Sequence, residues 1–161
     1  MATGDTLAIW GPLAALPPAN GYATLDVRNG HAVLDFDAAA DESMVFGGVL
    51  PAHYGGGDLD IELHWTSTSA TSGNVRWLAA LEKTSGTDID ADGFGTASSA
   101  TAAAPAAAGT LTKSTLNVSA ADAGNPTAGD ALRLKVTRDA DDAADSMTGD
   151  AELWAVHLRE A

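Results

Sequence analysis

Apolar and polar residues alternate with period two along most of the chain. In residues 58–66 (DLDIELHWT), Leu59, Ile61, Leu63 and Trp65 share one face while Asp58, Asp60, Glu62, His64 and Thr66 share the other. That pattern predicts a half-buried antiparallel strand. Residues 74–82 (NVRWLAALE) repeat it with Val75, Trp77, Ala79 and Leu81 inward, and residues 130–139 (DALRLKVTRD) with Leu132, Leu134 and Val136 inward. Residues 152–160 place Trp154, Val156 and Leu158 on the inner face, which leaves Leu153 pointing out. An outward leucine there implies either a second buried face or a contact surface.

Residues 23–27 and 32–36 flank Arg28-Asn29-Gly30-His31, and Asn-Gly between two alternating runs predicts a tight hairpin because both residues accept positive φ. Residues 44–50 (MVFGGVL) form an apolar run with Gly47-Gly48 inside it, which predicts a strand with a bulge or sharp bend. Strands over 6–10 and 110–118 complete the set. Short strands at turn-punctuated intervals, without a convincing helix, predict an all-β protein: an antiparallel two-sheet β-sandwich of jelly-roll type. A single domain spans 1–161, with 1–21, carrying Pro12, Pro17 and Pro18, as an extended N-terminal arm. Residues 95–109 (GTASSATAAAPAAAG) are of low complexity; Pro105 interrupts a helix, so a strand remnant followed by a flexible loop is expected.

Composition narrows the partners. Eight Lys and Arg against 22 Asp and Glu leave a net charge of −14, which disfavours nucleic acid and anionic membranes. No run approaches the length of a membrane span, and Asp5 stands where a secretory leader would carry basic charge. Without cysteine there is no disulfide framework, thiolate metal site or cysteine nucleophile. Nearly half of the hydrophobic residues are alanine, so the larger side chains suffice for one core only.

Candidate chemistry is sparse. Asp88, Asp90 and Asp92 with Gly93 match the opening of a D-x-D-x-D-G calcium loop and are candidate calcium ligands. The position of the bidentate glutamate holds Ser99, and the alternative is a solvated acidic loop. A second acidic loop, 139–145, admits the same two readings. His31, His53, His64 and His157 show no shared metal motif. There is no nucleophile elbow or phosphate-binding loop, and Gly55-Gly56-Gly57 lacks the lysine and helix such a loop needs. No catalytic residue is assigned and no cofactor other than calcium is expected. Trp65, Trp77 and Trp154 fall on inward phases and are read as core, which leaves Trp10, Tyr22 and Tyr54 as candidate glycan contacts.

The strings 22–37 (YATLDVRNGHAVLDFD), 42–51 (ESMVFGGVLP), 54–57 (YGGG), 132–141 (LRLKVTRDAD) and 147–153 (MTGDAEL) carry a family likeness. The chain resembles small acidic structural proteins of tailed phages, prophages and phage-like gene transfer agents. The resemblance implies a non-enzymatic virion protein, above all one decorating the head, assembled in the host cytoplasm and docked on the major capsid protein or other virion proteins. A tail or spike attachment module, or a carbohydrate-binding module for a host surface glycan, are the alternatives. The arm and the outward Leu153 would supply apolar surface for a homo-oligomer, with a trimer favoured by threefold positions on an icosahedral shell.

Overall fold

The computed structural model describes residues 3–91 and 93–161. These form ten strands: β1 (Thr6–Trp10), β2 (Thr24–Arg28), β3 (His31–Phe36), β4 (Glu42–Val49), β5 (Leu59–Ser67), β6 (Asn74–Lys83), β7 (Ser98–Ala103), β8 (Thr112–Val118), β9 (Ala131–Arg138) and β10 (Ala151–Glu160). One sheet runs β2-β3-β10-β5-β8, and the other runs β4-β9-β6-β7. All pairings between named strands are antiparallel, and the two sheets close as the expected jelly-roll sandwich. β10 is long enough to serve two neighbours on one side. Its first residues pair with β3 and its later ones with β1.

The alternation in β5, β6 and β9 sets the core as read. Leu59, Ile61, Leu63 and Trp65 meet Trp77, Leu81, Leu134 and Val136, all buried. Trp65 and Phe36 both pack edge-on against Trp77, at centroid distances of 5.7 and 5.2 Å, which favours their ring quadrupoles as well as burying area. The hairpin between β2 and β3 also forms as read, with Asn29 at φ 47° and Gly30 at φ 80°.

Three features depart from the pattern. Leu153 is 1% exposed and Trp154 is 41% exposed, the reverse of the expectation. The β10–β5 register shifts between Leu153 and Ala155, so Trp154 is an extra residue that resets the alternation. Before it Ala151 and Leu153 face the core; after it Val156 and Leu158 do.

Gly47-Gly48 makes no bulge, since β4 pairs in unbroken register with β9. A Cβ on Gly48 would lie 3.1 Å from the Trp10 ring, and the Trp10 indole donates to the Gly47 carbonyl at 3.1 Å. The glycines clear a bay for Trp10. The arm accordingly lies on its own sandwich: β1 pairs with β10, and Leu16 then bridges to Val45 of the opposite sheet.

Within 95–109, the strand remnant is β7, an edge strand along β6, and the loop follows it. In the 139–145 loop, Asp145 is not solvated. Fully buried Arg138 grips it through Nε and Nη2, at 3.0 and 2.8 Å, and donates to the carbonyls of Phe36, Met147 and Gly149. That fork fastens the β9–β10 connection to both sheets beside the start of β10.

Candidate functional site

The bulge in β10 decides what the outer face of the larger sheet presents. It lifts the Trp154 indole out of the core, against a groove of about 290 Å³. The hairpin contributes Arg28, Asn29, His31 and Val33 to the lining, the central strands contribute Thr66 and Glu152, and the loop before β8 contributes Gly109 and Leu111. Glu152 is nearly buried and is held in an ion pair by Arg28, whose Nη1 also donates to the Ser67 carbonyl at 2.9 Å. The Arg28 side chain is about a third exposed, and Glu152 and Ser67 engage only Nη1 of its five-donor fork. Asp35 sits opposite Glu152 in the ladder. Burial pushes its pKa up to about 6, reinforced by the charges of Glu152, Asp26 and Asp150. The groove thus joins an aromatic face to a fixed array of donors and acceptors on rigid strands.

Of the aromatics expected at a glycan site, Trp10 is 8% exposed and Tyr54 is 4% exposed. Trp10 is absorbed by the Gly48 bay and packs on Phe46, while the Tyr54 hydroxyl donates to the Gly57 carbonyl. Neither offers a ring face to a ligand. Tyr22 is half exposed and borders an apolar groove of about 320 Å³ with Leu13, Pro17 and Leu25, which offers no charged side chain. Trp154, read as core, is the tryptophan that reaches solvent. The misplaced Leu153 is the signal that could have found it, because an outward leucine beside an inward tryptophan marks an alternation that has slipped by one.

The calcium reading gains no geometry. Asp88 and Asp90 are exposed, and the Asp88 carboxylate accepts the Asp90 amide at 3.0 Å, closing its own turn. Asp92 lies outside the described residues. A second and larger cavity, about 510 Å³, opens at the opposite end of the sandwich between 81–87, Gly93, Gly95 and 121–124. Glycine, alanine and short polar residues predominate there, and none of its described lining residues is aromatic. Two of the four histidines, distant in sequence, meet in space: His64 and His157 come together beside Glu62 on the outer face of the larger sheet.

No protein-family model and no curated protein matches the chain. Solved structures do. A family 35 carbohydrate-binding module from Clostridium thermocellum aligns with a TM-score of 0.57 at 10% identity, over 98% of this chain and 100% of its own. A family 35 module from an environmental isolate gives 0.57 at 10% identity, over 94% and 92%. The C-terminal family 6 carbohydrate-binding module of LamC, a marine laminarinase from Zobellia galactanivorans, gives 0.50 at 14% identity, over 95% and 98%. At these identities the likeness is one of fold. It corrects the expectation of a virion structural protein that decorates a phage head, since the sandwich is shared with carbohydrate-binding modules and none of these three is a virion protein. The physical reason lies in the strings behind that expectation. Residues 22–37 and 132–141 fold as β2, β3 and β9 with their turns, so they encode a sandwich and not a docking surface.

Proposed function

We propose that the protein is a non-catalytic carbohydrate-binding module whose glycan lies in the Trp154 groove. The observation that carries this reading is the bulge that exposes Trp154 beside the Arg28–Glu152 pair. A pyranose has one face of C–H bonds and a rim of hydroxyls. The first stacks on an indole and the second needs paired donors and acceptors, and the groove presents both within one concavity. Its volume lies at the lower end for ligand sites, which suits a short stretch of a glycan. The fold shared with carbohydrate-binding modules supports the same reading.

The groove has no feature of a hydrolytic centre. Glu152 is committed to Arg28, and Asp35, with its raised pKa, faces Glu152 through the ladder and not across an open cleft. Affinity electrophoresis against a panel of soluble polysaccharides tests the proposal. Retardation by at least one polysaccharide is expected for the native chain and not for Trp154→Ala. No retardation by any member, or retardation that survives the substitution, would overturn it.

A further inference from the structure

We propose that the outer face of the larger sheet carries a second, independent site: a three-ligand centre for a borderline transition-metal ion of the zinc class, formed by Glu62, His64 and His157. Glu62 and His64 alternate onto the same face of β5, and His157 is the β10 partner of Glu62 in the ladder. Pairing of two central strands therefore assembles the trio, which is why no spacing in the sequence announces it. Glu62 Oε2 lies 3.3 Å from His157 Nδ1 and 3.9 Å from His64 Nε2, and the three donor atoms fall within 4.8 Å of one another. Zinc bonds of about 2.0–2.1 Å in a tetrahedron put neighbouring donors roughly 3.3 Å apart. One edge is already at that length, and the others close with small side-chain rotations.

The surroundings orient the donors as a metal site requires. Lys113 at 3.1 Å and Arg159 at 2.8 Å both bind Glu62 Oε1, which leaves Oε2 turned to the imidazoles. His157 Nε2 is engaged by the Thr6 hydroxyl at 2.8 Å, so the ring offers Nδ1 to the centre. A ligand whose far atom is held by a hydrogen bond is the usual outer-shell arrangement around zinc. Two imidazoles and one carboxylate oxygen select a zinc-class ion over calcium or magnesium, which take oxygen donors in larger number. Part-exposed His64 leaves the fourth position open to solvent, for water or a small ligand.

The test uses the full chain, stripped with EDTA and dialysed. Calorimetry with Zn²⁺ should give one ion per chain, and Co²⁺ should give the visible absorption of a four-coordinate ion. His64→Ala and His157→Ala should each weaken Zn²⁺ binding about tenfold or more, whereas the Asp88→Asn/Asp90→Asn double variant should retain it. Proton NMR reads the same centre without a substitution, so a variant that fails to fold leaves the answer intact. The His64 and His157 ring signals should move with Zn²⁺ while those of His31 and His53 stay. Absence of a one-to-one complex, unmoved His64 and His157 signals, or binding lost in the aspartate variant and kept in both histidine variants would each overturn the proposal. The glycan reading rests on Trp154, and neither result depends on the other.

Discussion

Two of the cavities, at opposite ends of the sandwich, invite comparison. The cleft among the loops has the greater volume, about 510 Å³ against about 290 Å³, yet its described walls, Glu82, Lys83 and Asp122 among them, include no aromatic ring on which a ligand could stack. The groove on the sheet face is smaller, but it places an indole, a guanidinium and a nearly buried carboxylate on hydrogen-bonded strands. The difference teaches that volume records where loops fail to meet, whereas recognition needs side chains whose positions are settled before the ligand arrives. Arg138 supplies that settling at the groove end, since its fork on Asp145 and three carbonyls ties the connection leading into β10 to both sheets. The described lining of the loop cleft is braced instead by single ion pairs within one sheet and its flanking turn, Arg133 on Glu82 and Lys83 on Asp130, and no one side chain there ties both sheets.

Removing the brace is the most forceful way to break the comparison. Arg138→Met leaves the Asp145 carboxylate, nearly buried, without its charged partner and with only the Arg76 amide donating to it. A loss of about 3–5 kcal/mol is expected for such a substitution, measured by urea unfolding at pH 7. A loss under about 1 kcal/mol would mean that the groove end is no better fixed than the loop end.

Next in size is the effect on binding. Trp154→Ala should cost at least tenfold in affinity for any polysaccharide retained by the native chain, on the order of 2 kcal/mol, because a truncated aromatic anchor loses its whole stacking face. Its thermal unfolding should move little, since Trp154 is 41% exposed and lies outside the core cluster. The matching change at the loop end, Ala121→Arg at the exposed rim of the cleft, should leave affinity unaltered.

The smallest effect concerns charge beneath the groove. Asp35 has a folded pKa of about 6, above its ordinary 3.8, with burial the first cause and Glu152 the next. A raised carboxyl contributes its full stability below about pH 4 and loses it as pH climbs through 6. Asp35→Asn should therefore unfold at a higher temperature than the native chain at pH 7 and at a similar one near pH 4. Because the site is only partly enclosed, solvent screening holds the gain to roughly 1 kcal/mol. Equal melting temperatures at both pH values would contradict the assignment.

These contrasts also mark how far the chain could be read unaided. Strict alternation made β5, β6 and β9 legible, and Asn29-Gly30 announced its hairpin, because both signals are local. The candidate site was not legible, for reasons that are equally physical. A bulge adds one residue without changing composition, so Trp154 and Leu153 exchanged faces. Trp10 went inward because Gly48, distant in sequence, leaves its ring a bay. Arg138 follows the inward phase of β9, but only the fold shows Asp145 waiting for it. His64 and His157 meet through strand pairing, which no spacing within one segment encodes.

The central claim is that one exposed tryptophan on the sheet face, and not the larger cleft, receives the ligand. An amide and indole NMR titration of the full chain with the best-retained polysaccharide fragment tests it most directly, because each tryptophan reports separately. Trp10 and Trp65 donate to Gly47 and Ser114, and Trp77 is sealed in the core, so their indole signals should hold still. The account predicts that the Trp154 indole and the amides of Asn29, Thr66 and Leu111 shift together and saturate. Shifts confined to Ser85, Gly86 and Ala121 would place the ligand in the loop cleft and contradict it.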